Sequence, residues 1–115
     1  MIDAEVVRQV RGWILRLLAD LPVDGSTGKR VESSSPMLVQ LLRRAGFTLL
    51  REDVDRQLAY LGERGYVELT RFSGAARRIM REAVGARIVA KGVDVLEGTA
   101  VDPGVDVSVV GSEAM

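Results

Sequence analysis

Arg51, Arg56 and Tyr60, followed by Arg77, Arg78 and Arg81, are the side chains best equipped for chemistry in this sequence. That chemistry is non-covalent recognition of a polyanion. A guanidinium presents a fork of N–H donors that matches phosphate oxygens or the O6/N7 edge of guanine. Arg56 suits a base edge, and Arg51 and Tyr60 suit phosphate oxygens. Arg77, Arg78 and Arg81 lie close enough in sequence to form one basic projection toward a sugar-phosphate backbone or a narrow minor groove.

Covalent chemistry has far less to work with. The chain contains no cysteine and no histidine. Their absence excludes disulfides and thiolate chemistry, nearly every transition-metal site and most general-base constellations. Carboxylate pairs such as Glu52 and Asp55 lie on a mixed-charge face with no cleft signalled. Gly25, Gly28 and Lys29 follow a helical pattern rather than a strand and lack the Gly-Lys-Ser/Thr signature of a phosphate loop. The expectation is therefore no enzyme, no cofactor and no metal.

Charge is unevenly spread although the formal net charge is zero. Between positions 71 and 91 stand Arg71, Arg77, Arg78, Arg81, Arg87 and Lys91 against Glu82 alone. From Gly92 to Met115 come Asp94, Glu97, Asp102, Asp106 and Glu113 with no basic residue. A zero total argues against strong non-specific polyanion binding, while the basic stretch leaves room for a local nucleic-acid contact.

The elements that must position these residues follow from periodicity. At 115 residues, 47% apolar and 28% charged, the chain has the size and composition of one small globular domain. Val6, Val7, Val10, Trp13, Ile14, Leu17, Leu18 and Leu21 recur at helical spacing from Asp3 to Pro22. The stripe is wide for so small a domain, and predicts a homodimer interface through Val6, Val10, Trp13 and Leu17. A polar loop spans 23–30. Ser33-Ser-Ser-Pro-Met37 starts a second helix with Leu38, Leu41, Leu42 and Ala45 on one face and Gly46 at its end. A connector, 47–50, precedes a third helix over 51–64 that buries Val54, Leu58 and Leu61 and stops at Gly65; Leu50 stands at its N-cap, where a Ser, Thr or Asp is expected. Strands follow at 66–72 and 83–90, with the intervening 77–82 open to either strand or helical turn. A short helix closes at 91–98, and the tail from Val105 is either an edge strand or frayed.

Helix, turn, helix and hairpin in that order are the plan of a winged helix-turn-helix. The predicted class is α+β, mainly helical: a three-helix core with a β-hairpin wing and a short C-terminal helix. The domain is expected to span 1–104, with 105–115 as a tail. No signal peptide and no membrane-length apolar run is visible, which predicts a cytoplasmic protein with no membrane partner.

The run Gln57-Leu58-Ala59-Tyr60-Leu61-Gly62-Glu63-Arg64-Gly65-Tyr66-Val67, with Gly92-Val93-Asp94-Val95…Gly98 and Pro103-Gly104-Val105, resembles the ArsR-like winged-helix regulators. More narrowly, it is similar to the small winged-helix proteins of Mu-like prophages. Leu17-Leu18-Ala19 fits the same pattern, so the likeness covers most of the chain. It differs in a longer Phe72–Val84 interval and in Ala90, where a capping Thr is usual. The resemblance implies a phage or bacterial DNA-binding transcriptional regulator. Metal sensing does not carry over, because those members use Cys, His and acidic ligands and this chain has neither Cys nor His.

Two functional expectations result. In the first, helix 51–64 reads the major groove of double-stranded DNA and the basic wing holds phosphates. In the second, the domain is a phage-encoded protein–protein adaptor that does not bind DNA. The second draws on Glu52, Asp53, Asp55 and Glu63, which outnumber Arg51, Arg56 and Arg64 on the same helix.

Overall fold

Asp3 begins the first helix by accepting a 2.8 Å hydrogen bond from the Glu5 amide on its side-chain oxygen. This helix, α1 (Ala4–Ala19), ends before Pro22. The computed structural model describes residues 3–71 and 83–108. Val10, Ile14, Leu15 and Leu18 of α1 are fully buried. Each such side chain contributes roughly 2 kcal/mol through the area it removes from water.

The loop after α1 turns on Asp24, whose carboxylate accepts from both the amide and the hydroxyl of Ser26 at 2.8 Å. It delivers the chain to a two-residue strand, β1 (Ser33–Ser34). Helix α2 (Ser35–Arg44) follows at once, capped by the Ser34 hydroxyl on the Met37 amide. Gly46, at φ +102°, turns the chain out of α2.

Helix α3 (Arg51–Glu63) starts at Leu50, which has no capping side chain. Asp53 compensates from within the first turn: its carboxylate accepts from the Leu50 amide at 3.1 Å. The fully buried Ser35 hydroxyl donates to Asp55 at 2.6 Å and pins the start of α2 to α3. Gly65 at φ +78° reverses the chain into β2 (Val67–Arg71).

β2 pairs antiparallel with β3 (Ala83–Ile88), Val67 opposite Ile88 and Leu69 opposite Ala86, with a register shift between Thr70 and Arg71. β1 pairs antiparallel with the other edge of β3, giving the order β1-β3-β2. Helix α4 (Ala90–Glu97) ends at Gly98 in the left-handed conformation. The described residues thus form an α+β fold, mainly helical, with helices packed on a small antiparallel sheet. No helix among them is long and apolar enough to cross a membrane.

Three expectations change. Ser33 and Ser34, expected only at a helix start, also form β1, since two serines suffice to pair with the free edge of β3. The tail expected from 105 begins inside the packed domain: Val105 is buried, and the Asp106 amide donates to the Arg8 carbonyl at 3.0 Å. Residues 105–107 are not an edge strand but a strap across α1. Finally, the α1 stripe divides: Val10, Ile14 and Leu18 are buried, whereas Val6, Val7, Trp13, Leu17 and Leu21 are half-buried. Val10, with no exposed surface, drops out of the expected dimer interface, while Val6, Trp13 and Leu17 pack against the chain's own core and keep part of their surface in solvent.

Candidate nucleic-acid interface

The outward ridge of α3 is Glu52, Arg56, Ala59 and Glu63, set by the inward placement of Val54, Leu58 and Leu61. Arg56 is the most available cation on it, with a side chain 72% exposed and a loose 3.5 Å ion pair to Asp53. Arg51 is drawn back along the helix, its Nε 3.7 Å from the Asp55 carboxylate. Arg77, Arg78 and Arg81 lie outside the described residues. Two other members of the basic stretch are engaged locally. Arg87 donates to Glu68 at 2.7 Å and stands 3.6 Å from Glu32 across the sheet, and Lys91 lies over the Tyr66 ring. The Glu68 carboxyl is accordingly held below its usual value, chiefly by the hydrogen bond from Arg87.

Tyr60 does not stand free as a phosphate donor. Its hydroxyl donates to Asp102, 3.2 and 3.3 Å from the two carboxylate oxygens. The Arg11 guanidinium stacks 3.6 Å from its ring centroid, with Arg64 at 5.2 Å. The turn at Gly65 brings Tyr66 to the same carboxylate, and its hydroxyl donates at 2.6 Å. The Gly104 amide completes the set at 2.7 Å, and the Arg64 Nε lies 3.9 Å away.

Asp102 is thus a buried carboxylate with every near neighbour a donor or a cation. Burial is the largest single influence and pushes its pKa up. Hydrogen bonds from Tyr66, the Gly104 amide and Tyr60, together with Arg64, outweigh it and hold the carboxyl below the usual range. The same bond, with burial and the carboxylate's charge, pushes the Tyr66 phenol up to about 12. Arg11 ties the arrangement to α1 and α3 by donating from Nε to Gln57 at 2.8 Å and from Nη1 to the Gly104 carbonyl at 3.0 Å.

Sequence reasoning missed this cluster of Arg11, Gln57, Arg64 and Asp102, because its members lie far apart along the chain. Two local signals do point toward it. Asp102-Pro-Gly104 is a turn in which an aspartate caps the amide two residues on. Gly12 in mid-helix is unfavourable by about 1 kcal/mol relative to alanine unless something passes close by. A Cβ there would lie 2.0 Å from the Asp106 carbonyl oxygen.

The arrangement offers recognition surfaces and a structural carboxylate. Among the described residues no group of three or more acidic side chains is placed to hold a metal. Neither a protein-family model nor a curated protein matches the chain.

Proposed function

We propose that this chain is a winged-helix protein that binds double-stranded DNA, a transcriptional regulator of bacterial or phage origin acting in the cytoplasm, without enzymatic activity. The observation that carries the reading is the relation of α2 and α3 to the sheet. Two helices joined by a short turn are followed directly by a β2–β3 hairpin, and β1, just before α2, closes on β3. This topology suits a domain that presents α3 to a major groove with a hairpin beside it. Arg56 is the side chain on α3 suited to a base edge. Arg77, Arg78 and Arg81, in the connection between β2 and β3, are suited to phosphates. Tyr60 takes a supporting role instead, holding Arg11 and Asp102.

The test is fluorescence anisotropy of a mixed-sequence duplex over a salt series. Affinity is expected to fall linearly with log salt, with a slope of about −0.9 per phosphate neutralised. No binding at the lowest salt sinks the reading.

A second reading, a protein–protein adaptor, is favoured by one observation: the α3 ridge sets exposed Glu52 and Glu63 on either side of Arg56. Carboxylates on that ridge repel phosphates and suit a basic partner surface. Charge reversal at Arg77, Arg78 and Arg81 separates the two, since it abolishes DNA affinity in the first and has none to abolish in the second.

A further inference from the structure

The strap formed by residues 101–108 lies over cations from two helices. Asp102 stands 3.9 Å from Arg64 at the end of α3. The Gly104 carbonyl accepts from Arg11 of α1. Asp106 is anchored through its amide to the carbonyl of Arg8. Its carboxyl is held low first by hydrogen bonds from the hydroxyl and amide of Ser108, and then by the charge of Arg8. Arg64 also continues a line along α3, four residues beyond Tyr60 and eight beyond Arg56. Part-buried Arg11 and Arg64, whose side chain stays 56% exposed beside Asp102, therefore extend the edge of the proposed DNA-binding helix.

We propose that Arg8, Arg11 and Arg64 form a second phosphate-binding surface, which the strap occupies as an internal mimic of a nucleic-acid backbone and yields when duplex DNA arrives. The inference rests on the DNA-binding reading above and adds a gate to it.

The strap is suited to this role in charge and in attachment. From Gly92 to the end of the chain the sequence carries acidic residues and no basic one. Described residues 101–107 take no part in the sheet, and the strap's backbone bonds to the body are those to Arg8 and Arg11. Its side-chain hold is the Asp102 carboxylate, bonded by Tyr66 and Tyr60, together with buried Val105 and half-buried Val107. Beyond Asp102 the segment is held by few contacts, and such a segment opens locally at lower free energy than the helices beneath it. A phosphodiester offers the three arginines the same acceptor-only charge, with counterion release as an added drive.

The experiment compares duplex binding by the full chain with Asp106→Asn, Val107→Ser and Asp94→Asn. Val107→Ser loosens the strap and leaves every charge in place. Asp106→Asn removes one strap charge, and Asp94→Asn makes the same change of net charge on an exposed part of α4. The expected result is tighter binding by the two strap variants, on the order of tenfold when combined, with a salt slope steeper by about 0.9 per phosphate newly contacted. Asp94→Asn should change little. DNA should also accelerate hydrogen exchange at the Asp106 amide in the unaltered chain. Equal affinity and slope in all folded variants, or an equal gain from Asp94→Asn, overturns the gate and leaves DNA binding standing. No binding by any variant overturns both.

Discussion

The Tyr66 hydroxyl donates a 2.6 Å hydrogen bond to the Asp102 carboxylate, joining the turn after α3 to a segment thirty-six residues further on. This contact closes the strap onto the helices. It also sets the protonation of both partners, because the phenol and the carboxylate each favour the state that keeps the bond.

The clearest consequence is spectroscopic. The chain has two tyrosines, and alkaline titration of phenolate absorbance should show Tyr66 ionising near 12. The folded pKa of this phenol is raised above the ordinary value of 10.0, so its contribution to stability is complete below about 10 and is lost as pH rises toward 12. Asp102→Asn should bring the transition down toward the ordinary value. A Tyr66 transition near 10 in the unaltered chain contradicts the buried bond.

Acid should act through Asp102 in the opposite sense. Its folded pKa is depressed below the ordinary 3.8, so its contribution is complete above that value and is lost as pH falls through the folded one. Urea midpoints measured at decreasing pH should drop more steeply in the unaltered chain than in Asp102→Asn. Identical acid limbs mean that the carboxylate is not the anchor.

Removing the donor tests the strength of the same contact. Tyr66→Phe should destabilise the domain by about 2 kcal/mol, the magnitude for a buried hydrogen bond to a charged group. Tyr60→Phe should be milder, since its hydroxyl is farther from the carboxylate and half-buried. Chemical denaturation gives both values, and a larger loss from Tyr60→Phe would show that Tyr60, not Tyr66, is the stronger hold on Asp102.

At Gly12, propensity and packing predict opposite signs. Helix propensity alone makes Gly12→Ala stabilising by about 1 kcal/mol. The close passage of the Asp106 carbonyl makes it destabilising, by about 1–3 kcal/mol, as the strap is pushed away. A melting temperature that rises in this variant removes the strap from its place on α1.

On α3 the useful substitutions are Glu52→Gln and Glu63→Gln. Both side chains are exposed and neither belongs to the core. If α3 enters a major groove, neutralising them should raise duplex affinity several-fold by removing repulsion from phosphates. A loss of DNA affinity in both runs against groove entry.

The helices were legible because each carries its own local signals. Asp3 and Ser34 cap α1 and α2, Gly46 and Gly65 end α2 and α3, and Val54, Leu58 and Leu61 mark the inner face of α3. The hairpin pairing was legible in outline from the β-prone runs on either side of 72–82. The candidate site was legible only in part. Arg56 was readable as an outward cation from helical spacing, whereas the fate of Tyr60 depended on where Asp102 came to rest. β1 was missed because two serines carry no strand signal of their own; their pairing is decided by the free edge of β3.

Local composition and periodicity by themselves determined three amphipathic helices, their stops, a chain without thiol or imidazole chemistry, and an acidic stretch after a basic one. These are properties of neighbouring residues, and backbone sterics and apolar spacing act at short range. Only the tertiary structure decided that the acidic stretch folds back over α1, that Gly12 is the notch admitting it, and that Tyr60 and Tyr66 meet one carboxylate. Those contacts join residues far apart in sequence, and their formation depends on burial and geometry that no local pattern encodes.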